Sequence, residues 1–148
     1  MADQPAPVQV EDGDFKGWYL SPFHDDYVNL IGPFYYLPDE NGKTRVALKV
    51  EQRHLNGGGI MHGGCLLSLA DTALFIIAMD EQKTSGGVTM QLDAQFVAPA
   101  NPGDIIIATG EVVRAGQSTI FVRGQITARD TPIMAFSGII KRSRKSGA

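Results

Sequence analysis

Residues 54–73 read HLNGGGIMHGGCLLSLADTA, and this stretch decides the fold. Its first half is a polar, glycine-rich loop, and its second half is an apolar run typical of a helix. Such a loop leaves backbone N–H groups free, and the start of a helix concentrates partial positive charge beside them. The carboxylate of Asp71 on the apolar run is costly to bury unless it is paired or used. The stretch therefore predicts an anion-stabilising pocket with a base or nucleophile nearby.

The composition indicates an ordinary globular domain. A chain of 148 residues is most simply one domain with a substantial core, and 43% hydrophobic with 20% charged residues is typical of such a domain. A net charge of -3 gives no reason to expect a nucleic-acid partner. The basic run at residues 141–145 is interpreted as a solvated tail. We expect a loose segment over residues 1–16, a single domain over 17–142 and a tail over 143–148.

Cysteine usage and the N-terminus favour the cytoplasm. Cys65 is the single cysteine, so there is no internal disulfide, which fits a reducing compartment. The first residues, MADQP, show no secretory signal. The longest apolar run, residues 65–79, is too short and too polar to span a bilayer. We therefore expect a cytoplasmic protein with no membrane contact.

The hydropathy pattern predicts two strands, one long helix and four further strands. Asn41-Gly42 is a hairpin signal between the first two strands. The helix is expected to open at Gly63 or Gly64 and to end near Asp80. Short connections favour antiparallel neighbours, so the last four strands are predicted to form a meander. The predicted strands cover residues 34–37, 45–51, 87–97, 104–114, 118–129 and 133–141.

Two further expectations concern packing. The aromatic segment 17–33 is predicted to pack across the domain as a short helix or an ordered arm. The helix is apolar nearly all round, so it must be enclosed rather than lie on a surface. One small sheet covers a single side of a helix. We therefore expect both a sheet that wraps the helix and a second subunit that helps to cover it.

Five short motifs occur along the chain in a fixed order. They are His54-x-Asn56-x-x-Gly59-x-x-His62-Gly63-Gly64, Leu69-Ala70-Asp71, Gly87-Val88-Thr89, Phe96 with Ala98-Pro99-Ala100, and Arg114-x-Gly116-Gln117-Ser118. These motifs resemble those of the hotdog-fold acyl-CoA thioesterases, in particular the 4-hydroxybenzoyl-CoA and phenylacetate-pathway type, over roughly residues 32–142. The resemblance implies an α+β hotdog fold, in which a curved antiparallel sheet wraps one long central helix, in subunits that form dimers or tetramers. It also implies hydrolysis of a coenzyme A thioester with no metal and no cofactor beyond the substrate.

The resemblance assigns roles to five catalytic candidates. The Gly63 N–H would stabilise the thioester oxyanion, and Asp71 would act as a general base or as a nucleophile. Asn56 would orient water or substrate, His62 would shape the thioester pocket, and Thr89 would hold the attacking water with the carboxylate. Four of the five have a structural alternative. These are a helix-opening glycine for Gly63, a carboxylate satisfied by hydroxyls at the interface for Asp71, a hydrogen bond to the loop backbone for His62 and an ordinary strand threonine for Thr89. His54 is interpreted as a loop-bracing residue.

Helix geometry constrains the site without any appeal to the family. Gly63 and Asp71 are eight residues apart, which separates them by about 12 Å along one helix axis. A thioester carbonyl cannot contact both residues of the same chain. Catalysis by this pair therefore requires a dimer with two composite sites.

The resemblance also implies where the substrate lies. Arginine and free backbone N–H groups suit the phosphates and pantetheine amides of coenzyme A. The acyl group would be aryl, aryl-acetyl or medium-chain, and it would lie against helix residues and aromatics of segment 17–33. An ordinary β-turn with polar groups is the alternative for the coenzyme A positions. The implied coenzyme A contacts are Phe96, Arg114, Gly116, Gln117, Ser118, Thr119 and Arg142, and the implied acyl contacts are Leu74, Phe75 and Ala78.

Other chemistries are less well supported by the residues. A thiolate is favoured at the first turn of a helix, so Cys65 could serve as a nucleophile with a histidine, although a small packed residue is the simpler interpretation. His24-Asp25-Asp26 could bind a metal, but no second ligand cluster accompanies it. A hotdog hydratase would need a different histidine and acid layout. A non-catalytic acyl-CoA sensor or scaffold of the same fold is the alternative function.

Overall fold

The computed structural model describes residues 6–23, 25–39, 41, 43–82 and 86–144. Within these residues the chain forms one seven-stranded sheet and three helices. A 3-10 turn at Gln52–His54 leads into the glycine-rich loop. The elements in chain order are β1 Tyr19–Leu20, α1 Asp26–Ile31, β2 Tyr35–Leu37, β3 Arg45–Lys49, α2 Gly63–Ile77, α3 Met79–Gln82, β4 Gly87–Phe96, β5 Ile105–Ala115, β6 Thr119–Ala128 and β7 Thr131–Arg142.

The strand order corrects part of the predicted topology. The order is β1-β2-β3-β5-β6-β7-β4, with every neighbouring pair antiparallel. Strands β5 to β7 form a meander as expected, but β4 does not precede them in it. The chain crosses from β4, at one edge, to the centre of the sheet, where β5 pairs with β3. Burial explains why β5 lies at the centre of the sheet and β4 at its edge. Ile106 and Ala108 of β5 are fully buried, whereas Val88 and Met90 of β4 are exposed.

The sheet curves around α2 and covers most of its surface, in agreement with its apolar composition. The helix contacts β3, β4, β5, β6 and β7, which one helix can do only when the sheet curves around it. Leu69, Leu74 and Ile76 are fully buried in this contact. A Cβ on Gly138 of β7 would collide with Leu74, so glycine there lets the helix lie close to the sheet. The predicted hotdog architecture is confirmed.

The helix ends slightly differently from the prediction. The expected helix ran from Gly63 or Gly64 to about Asp80. In the structure α2 ends at Ile77, and Ala78 leaves the helical conformation before α3 continues to Gln82. The amide of Gln82 donates to Phe75 O at 2.8 Å, which ties the two helices together.

The N-terminal part is more ordered than the sequence suggested. Val8 and Val10 exchange backbone hydrogen bonds with residues 17–20, so the chain folds back as a hairpin well before residue 17. Phe15 is buried and stacks on Tyr35 with ring centroids 4.0 Å apart. The loose segment expected over residues 1–16 is therefore wrong from Val8 onward, because Phe15 anchors it to the sheet.

Segment 17–33, which we call the arm, contains both a strand and a short helix. Its β1 extends the sheet beside β2, and Asp25 caps α1 by accepting a hydrogen bond from the Val28 N–H at 2.7 Å. Several predicted features fall outside the described residues, namely residues 1–5, His24, Gly42 of the hairpin signal and the tail residues 145–148. Across the described ranges, none of the helices combines the length and apolarity needed to span a membrane.

Candidate active site

The centre of the candidate site is a contact between α2 and the edge strand β4. Asp71 is half-buried on α2, and the Thr89 hydroxyl of β4 donates to its Oδ1 at 2.5 Å. This is the length of a strong hydrogen bond to an ionised carboxylate. No donor to Oδ2 is found among the residues that the structure describes. One carboxylate oxygen is thus held in place while the other can act on a substrate or a water.

The glycine-rich loop is organised by Asn56. Its Oδ1 accepts hydrogen bonds from the N–H groups of Gly58, at 2.8 Å, and Ile60, at 3.4 Å. The Asn56 backbone N–H donates to Ile60 O at 2.8 Å and closes the loop. The side-chain oxygen is therefore used in hydrogen bonds within the loop. The exposed amide nitrogen is the atom of Asn56 that can donate to substrate or water.

His62 caps the helix that carries Asp71. Its Nδ1 accepts from the Gly64 N–H at 2.8 Å, and its backbone oxygen accepts from Cys65. This geometry agrees with the structural alternative for His62, a hydrogen-bonding role at the loop. The exposed ring still lies beside the helix start and can border a ligand there.

Gly63 lies at the first position of α2 with an available N–H. Within the described part of the chain, no acceptor lies within hydrogen-bonding distance of this group. The first N–H groups of a helix lack intrahelical acceptors, so they are suited to an oxyanion. The Phe96 ring lies beside the glycine, 3.2 Å from where a Cβ would stand. Because glycine has no side chain, a narrow space remains between this N–H and the Phe96 ring.

The predicted coenzyme A residues fall into two separate groups. Gly116 to Thr119 form the β5–β6 turn, and the Arg142 Nε donates to Gly116 O at 3.0 Å. Phe96 lies at the opposite end of β4, because Gly87 pairs with Arg142 whereas Phe96 pairs with Met134. Within one chain, therefore, the seven residues predicted to contact coenzyme A do not lie together.

The two arginines of that set have different environments. The Arg142 Nη1 donates to Glu81 O at 2.7 Å, so its guanidinium joins the β5–β6 turn to α3. Arg114 is exposed and forms no ion pair with any described residue. Of the two, Arg114 has the guanidinium that is available to a phosphate.

The three predicted acyl-pocket residues differ in their exposure. Leu74 and Ala78 are fully buried and face the core, so neither lines a surface that a ligand can reach. Phe75 is partly exposed and contacts Phe23 of the arm edge-to-face, with ring centroids 6.2 Å apart. The predicted acyl contacts therefore do not hold for Leu74 and Ala78, because the sheet that curves around α2 buries both in the core.

The arm is held by residues that precede the loop. His54 is buried and its Nδ1 accepts from the Glu51 N–H at 2.9 Å, so Nε2 carries the proton and donates to Ile31 O at 2.6 Å. The neighbouring Arg53 donates to Leu30 O at 2.5 Å and to Gly32 O. The loop-bracing interpretation of His54 agrees with these contacts. The role of Arg53 had no signal in the sequence, because its partners are backbone carbonyls.

The surroundings of Cys65 and Asp25 bear on the thiol and metal alternatives, and His24 of the metal alternative lies outside the described residues. Burial raises the pKa of the Cys65 thiol above its ordinary value, and the nearby Arg53 lowers it to a smaller extent. The thiol is therefore not activated at neutral pH. Asp25 serves as the cap of α1. Among the residues outside the undescribed positions, no group of three or more His, Cys, Asp or Glu side chains could hold a metal ion.

A carboxylate held by a hydroxyl and a helix start with an available N–H are groups that acyl-transfer hydrolases use. The family model of the thioesterase superfamily matches residues 58–135. A Pseudomonas aeruginosa protein named "Putative esterase PA0474" is 30% identical over 113 residues, which cover 76% of this chain and 84% of that protein. The chain belongs to the thioesterase superfamily, and it is a thioester hydrolase.

Two further relatives agree with this family. Human acyl-coenzyme A thioesterase 13 is 24% identical over 106 residues, which cover 72% of this chain and 76% of that protein. The structure of the Escherichia coli PaaI protein, from the phenylacetic acid degradation operon, superposes with a TM-score of 0.71 at 28% identity. That alignment covers 82% of this chain and 86% of the PaaI chain.

Proposed function

We propose that this chain hydrolyses acyl-CoA thioesters to the free acid and coenzyme A, at sites shared between two copies of the chain. The observation that carries the proposal is the carboxylate of Asp71, which Thr89 holds at one oxygen and to which no other described residue donates. The acyl-CoA class is supported by the similarity to human acyl-coenzyme A thioesterase 13.

The position of β4 supports a composite site. Strand β4 is an edge of the sheet, and its ten residues span roughly 30 Å. Thr89 and Asp71 lie towards one end of the strand, and Phe96 and Gly63 lie at the other. A two-fold antiparallel pairing of β4 with its copy would reverse these ends and bring the two groups together.

The same pairing would also give hydrogen-bond partners to the backbone groups of the edge strand. An unpaired edge of this length exposes a row of backbone donors and acceptors that folded proteins usually cover. Val88 and Met90 on β4 are more than half exposed, at 63% and 55%. We therefore propose a homodimer through β4 and, by association of two dimers, a homotetramer.

The chemistry follows from the groups in the composite site. Acting as a general base, Asp71 takes a proton from water, and the hydroxide adds to the thioester carbonyl. Acting as a nucleophile, its Oδ2 adds to the carbonyl and forms an acyl-aspartyl anhydride that water then hydrolyses. In both routes the Gly63 N–H of the second copy stabilises the oxyanion. A thiol has a pKa of about 8.5, so coenzyme A can leave as a thiolate without a strong acid.

The remaining residues would bind the substrate. Arg114, with its available guanidinium, is proposed to bind coenzyme A phosphates, and the turn Gly116–Thr119 to bind the pantetheine portion. The Asn56 amide would donate to the substrate carbonyl or to the attacking water. We propose no cofactor beyond coenzyme A as part of the substrate, no nucleic-acid or membrane partner, and the cytoplasm as the place of action.

A panel of acyl-CoA esters tests the proposal. The purified chain is incubated with aryl, aryl-acetyl and straight-chain esters, and released thiol is measured. We expect release from at least one ester and its loss in Asp71→Asn. If no ester is cleaved, the proposal is wrong and the alternative, a non-catalytic acyl-CoA sensor or scaffold, is favoured.

A further inference from the structure

One face of α2 is not covered by the sheet. Gly64, Ser68, Asp71 and Phe75 recur at the spacing of one helix face, and each is at least partly exposed. We call this set the open stripe. The arm contacts the open stripe at two places, one on each side of Asp71 along the helix.

The contact towards the helix start is polar. The Tyr27 hydroxyl lies 2.8 Å from Ser68 Oγ, and the Ser68 hydroxyl donates to Gly64 O at 2.9 Å. Because the Ser68 proton is used in that bond, Tyr27 is the donor of the pair. This end of the open stripe presents hydroxyl groups and a backbone carbonyl.

The contact towards the helix end is apolar. Phe23 meets Phe75 edge-to-face at an interplanar angle of 82°. Phe75 is four residues beyond Asp71, which is roughly 6 Å along the axis. A group that extends from the carboxylate towards the helix end therefore meets the Phe23–Phe75 pair after about one helical turn.

The arm is fixed rather than loosely attached at this position. Arg53 and His54 hold the three consecutive carbonyls of residues 30–32 at the end of α1. On the other side of Phe23, the Ser21 N–H donates to Phe34 O at 2.8 Å. The segment that carries Phe23 is therefore anchored at both of its ends, so its ring can limit the space beside Phe75.

We propose that Phe23 is a specificity-determining residue that sets the largest acyl group the site accepts. An acyl group avoids the hydroxyl-lined end of the open stripe, because burying those groups against hydrocarbon is costly. It extends instead towards Phe75 and stops at the Phe23 ring. The expected substrates are acyl-CoA esters with short or flat aryl acyl groups, in preference to long chains. This inference rests on the proposed thioesterase function.

The test compares acyl-chain profiles of three proteins. We measure kcat/KM of the wild type, Phe23→Ala and Tyr27→Phe with straight-chain acyl-CoA esters of increasing length and with phenylacetyl-CoA. In Phe23→Ala, each methylene that enters the vacated space is expected to raise relative kcat/KM about fourfold. The optimum therefore moves to longer chains. Tyr27→Phe removes one arm hydroxyl at the other end of the open stripe but leaves the Ser68 hydroxyl and the Gly64 carbonyl there. That end therefore stays polar, and the relative profile of Tyr27→Phe is expected to match the wild type.

The outcomes separate this inference from the function on which it rests. If the wild type cleaves no ester, the thioesterase proposal fails and the inference with it. If the wild type is active and Phe23→Ala keeps the same relative profile, the inference alone is wrong. If Phe23→Ala does not fold, Phe23→Leu and Phe23→Trp replace it. Leucine is expected to lengthen the accepted chain and tryptophan to shorten it, and equal profiles for the two would overturn the inference.

Discussion

The Thr89 hydroxyl donates to Asp71 Oδ1 at 2.5 Å across the contact between the edge strand and the central helix. The bond fixes the direction of the carboxylate, and among the described residues Oδ2 has no donor. It also links Asp71 to β4, the strand through which we propose that two copies pair. Pairing at the edge strand would therefore act directly on the position of the proposed base or nucleophile.

Replacing Asp71 by asparagine tests its catalytic role. The amide is nearly isosteric but is neither a base nor a nucleophile, so kcat is expected to fall by at least about a hundredfold while the fold is kept. Thiol release gives the rate, and thermal unfolding checks the fold. Asp80→Asn, at an exposed position on α3, serves as the matched control and should keep wild-type turnover. Full turnover by Asp71→Asn would contradict the assignment.

The contribution of the Thr89 hydrogen bond to turnover can be measured. Thr89→Val keeps the shape of the side chain and removes the hydroxyl, which leaves the carboxylate without its fixed donor. A hydrogen bond to a charged group contributes about 1.5–3 kcal/mol, so we expect kcat to fall by roughly tenfold to a hundredfold. Thr89→Ser should restore most of the rate. Equal rates for the valine and serine variants would show that the hydroxyl has no part in turnover.

The composite site predicts complementation between inactive chains. Gly63→Pro removes the proposed oxyanion N–H at a helix position where proline is tolerated. A mixture of Gly63→Pro and Asp71→Asn chains, unfolded and refolded together, would contain mixed dimers with one intact site. If assembly is random, activity should return to about a quarter of the wild-type value.

A double variant provides the control for complementation. Chains with both Asp71→Asn and Gly63→Pro, refolded with Asp71→Asn chains, can form no intact site and should stay inactive. If the two single variants also remain inactive together while each still folds, Asp71 and Gly63 do not act across two chains.

The two arginines near the β5–β6 turn should behave differently. Arg114→Ala should raise the KM for acyl-CoA several-fold and leave thioesters without the nucleotide unaffected, because Arg114 is proposed to bind phosphate. Arg142→Ala should lower the melting temperature, because two backbone carbonyls lose their donor. An equal effect of Arg114→Ala on both kinds of thioester would refute the phosphate role.

The environment of Cys65 predicts how the reactivity of its thiol changes with pH. Burial raises the pKa of the thiol, so the protonated, unreactive form persists to higher pH than in an exposed cysteine. Alkylation, followed by intact mass, should be slow at neutral pH and should accelerate only at a higher pH than the alkylation of an exposed cysteine. Cys65→Ala is expected to retain turnover. Rapid alkylation at pH 7 with loss of activity would instead indicate a thiolate at the site.

Some features were predictable because their signal lies within one element. The apolar run after the glycine-rich loop predicted α2, and an isolated acid on it predicted Asp71 as the reactive group. The strand periodicity predicted β5, β6 and β7 close to their observed bounds. In each case neighbouring residues along the chain carry the pattern, so no distant contact is needed to interpret it.

Other features depended on contacts that local patterns do not encode. The sequence placed β4 beside β5, but the greater burial of β5 places it at the centre and leaves β4 at the edge. The resemblance implied that Phe96 and Arg142 both contact coenzyme A, and within one chain they lie at opposite ends of the same strand pair. Leu74 and Phe75 are adjacent in sequence, but one faces the core and the other faces the arm.

The sequence by itself determined the central helix, and it predicted Asp71 as the reactive group and the need for a second copy, since these follow from spacing and side-chain chemistry within about twenty residues. Only the tertiary structure decided that Thr89 reaches Asp71, that Arg53 anchors the arm and that Phe23 faces Phe75. The physical reason is that these contacts join segments far apart in the chain, and their positions are set by how the whole sheet packs around α2.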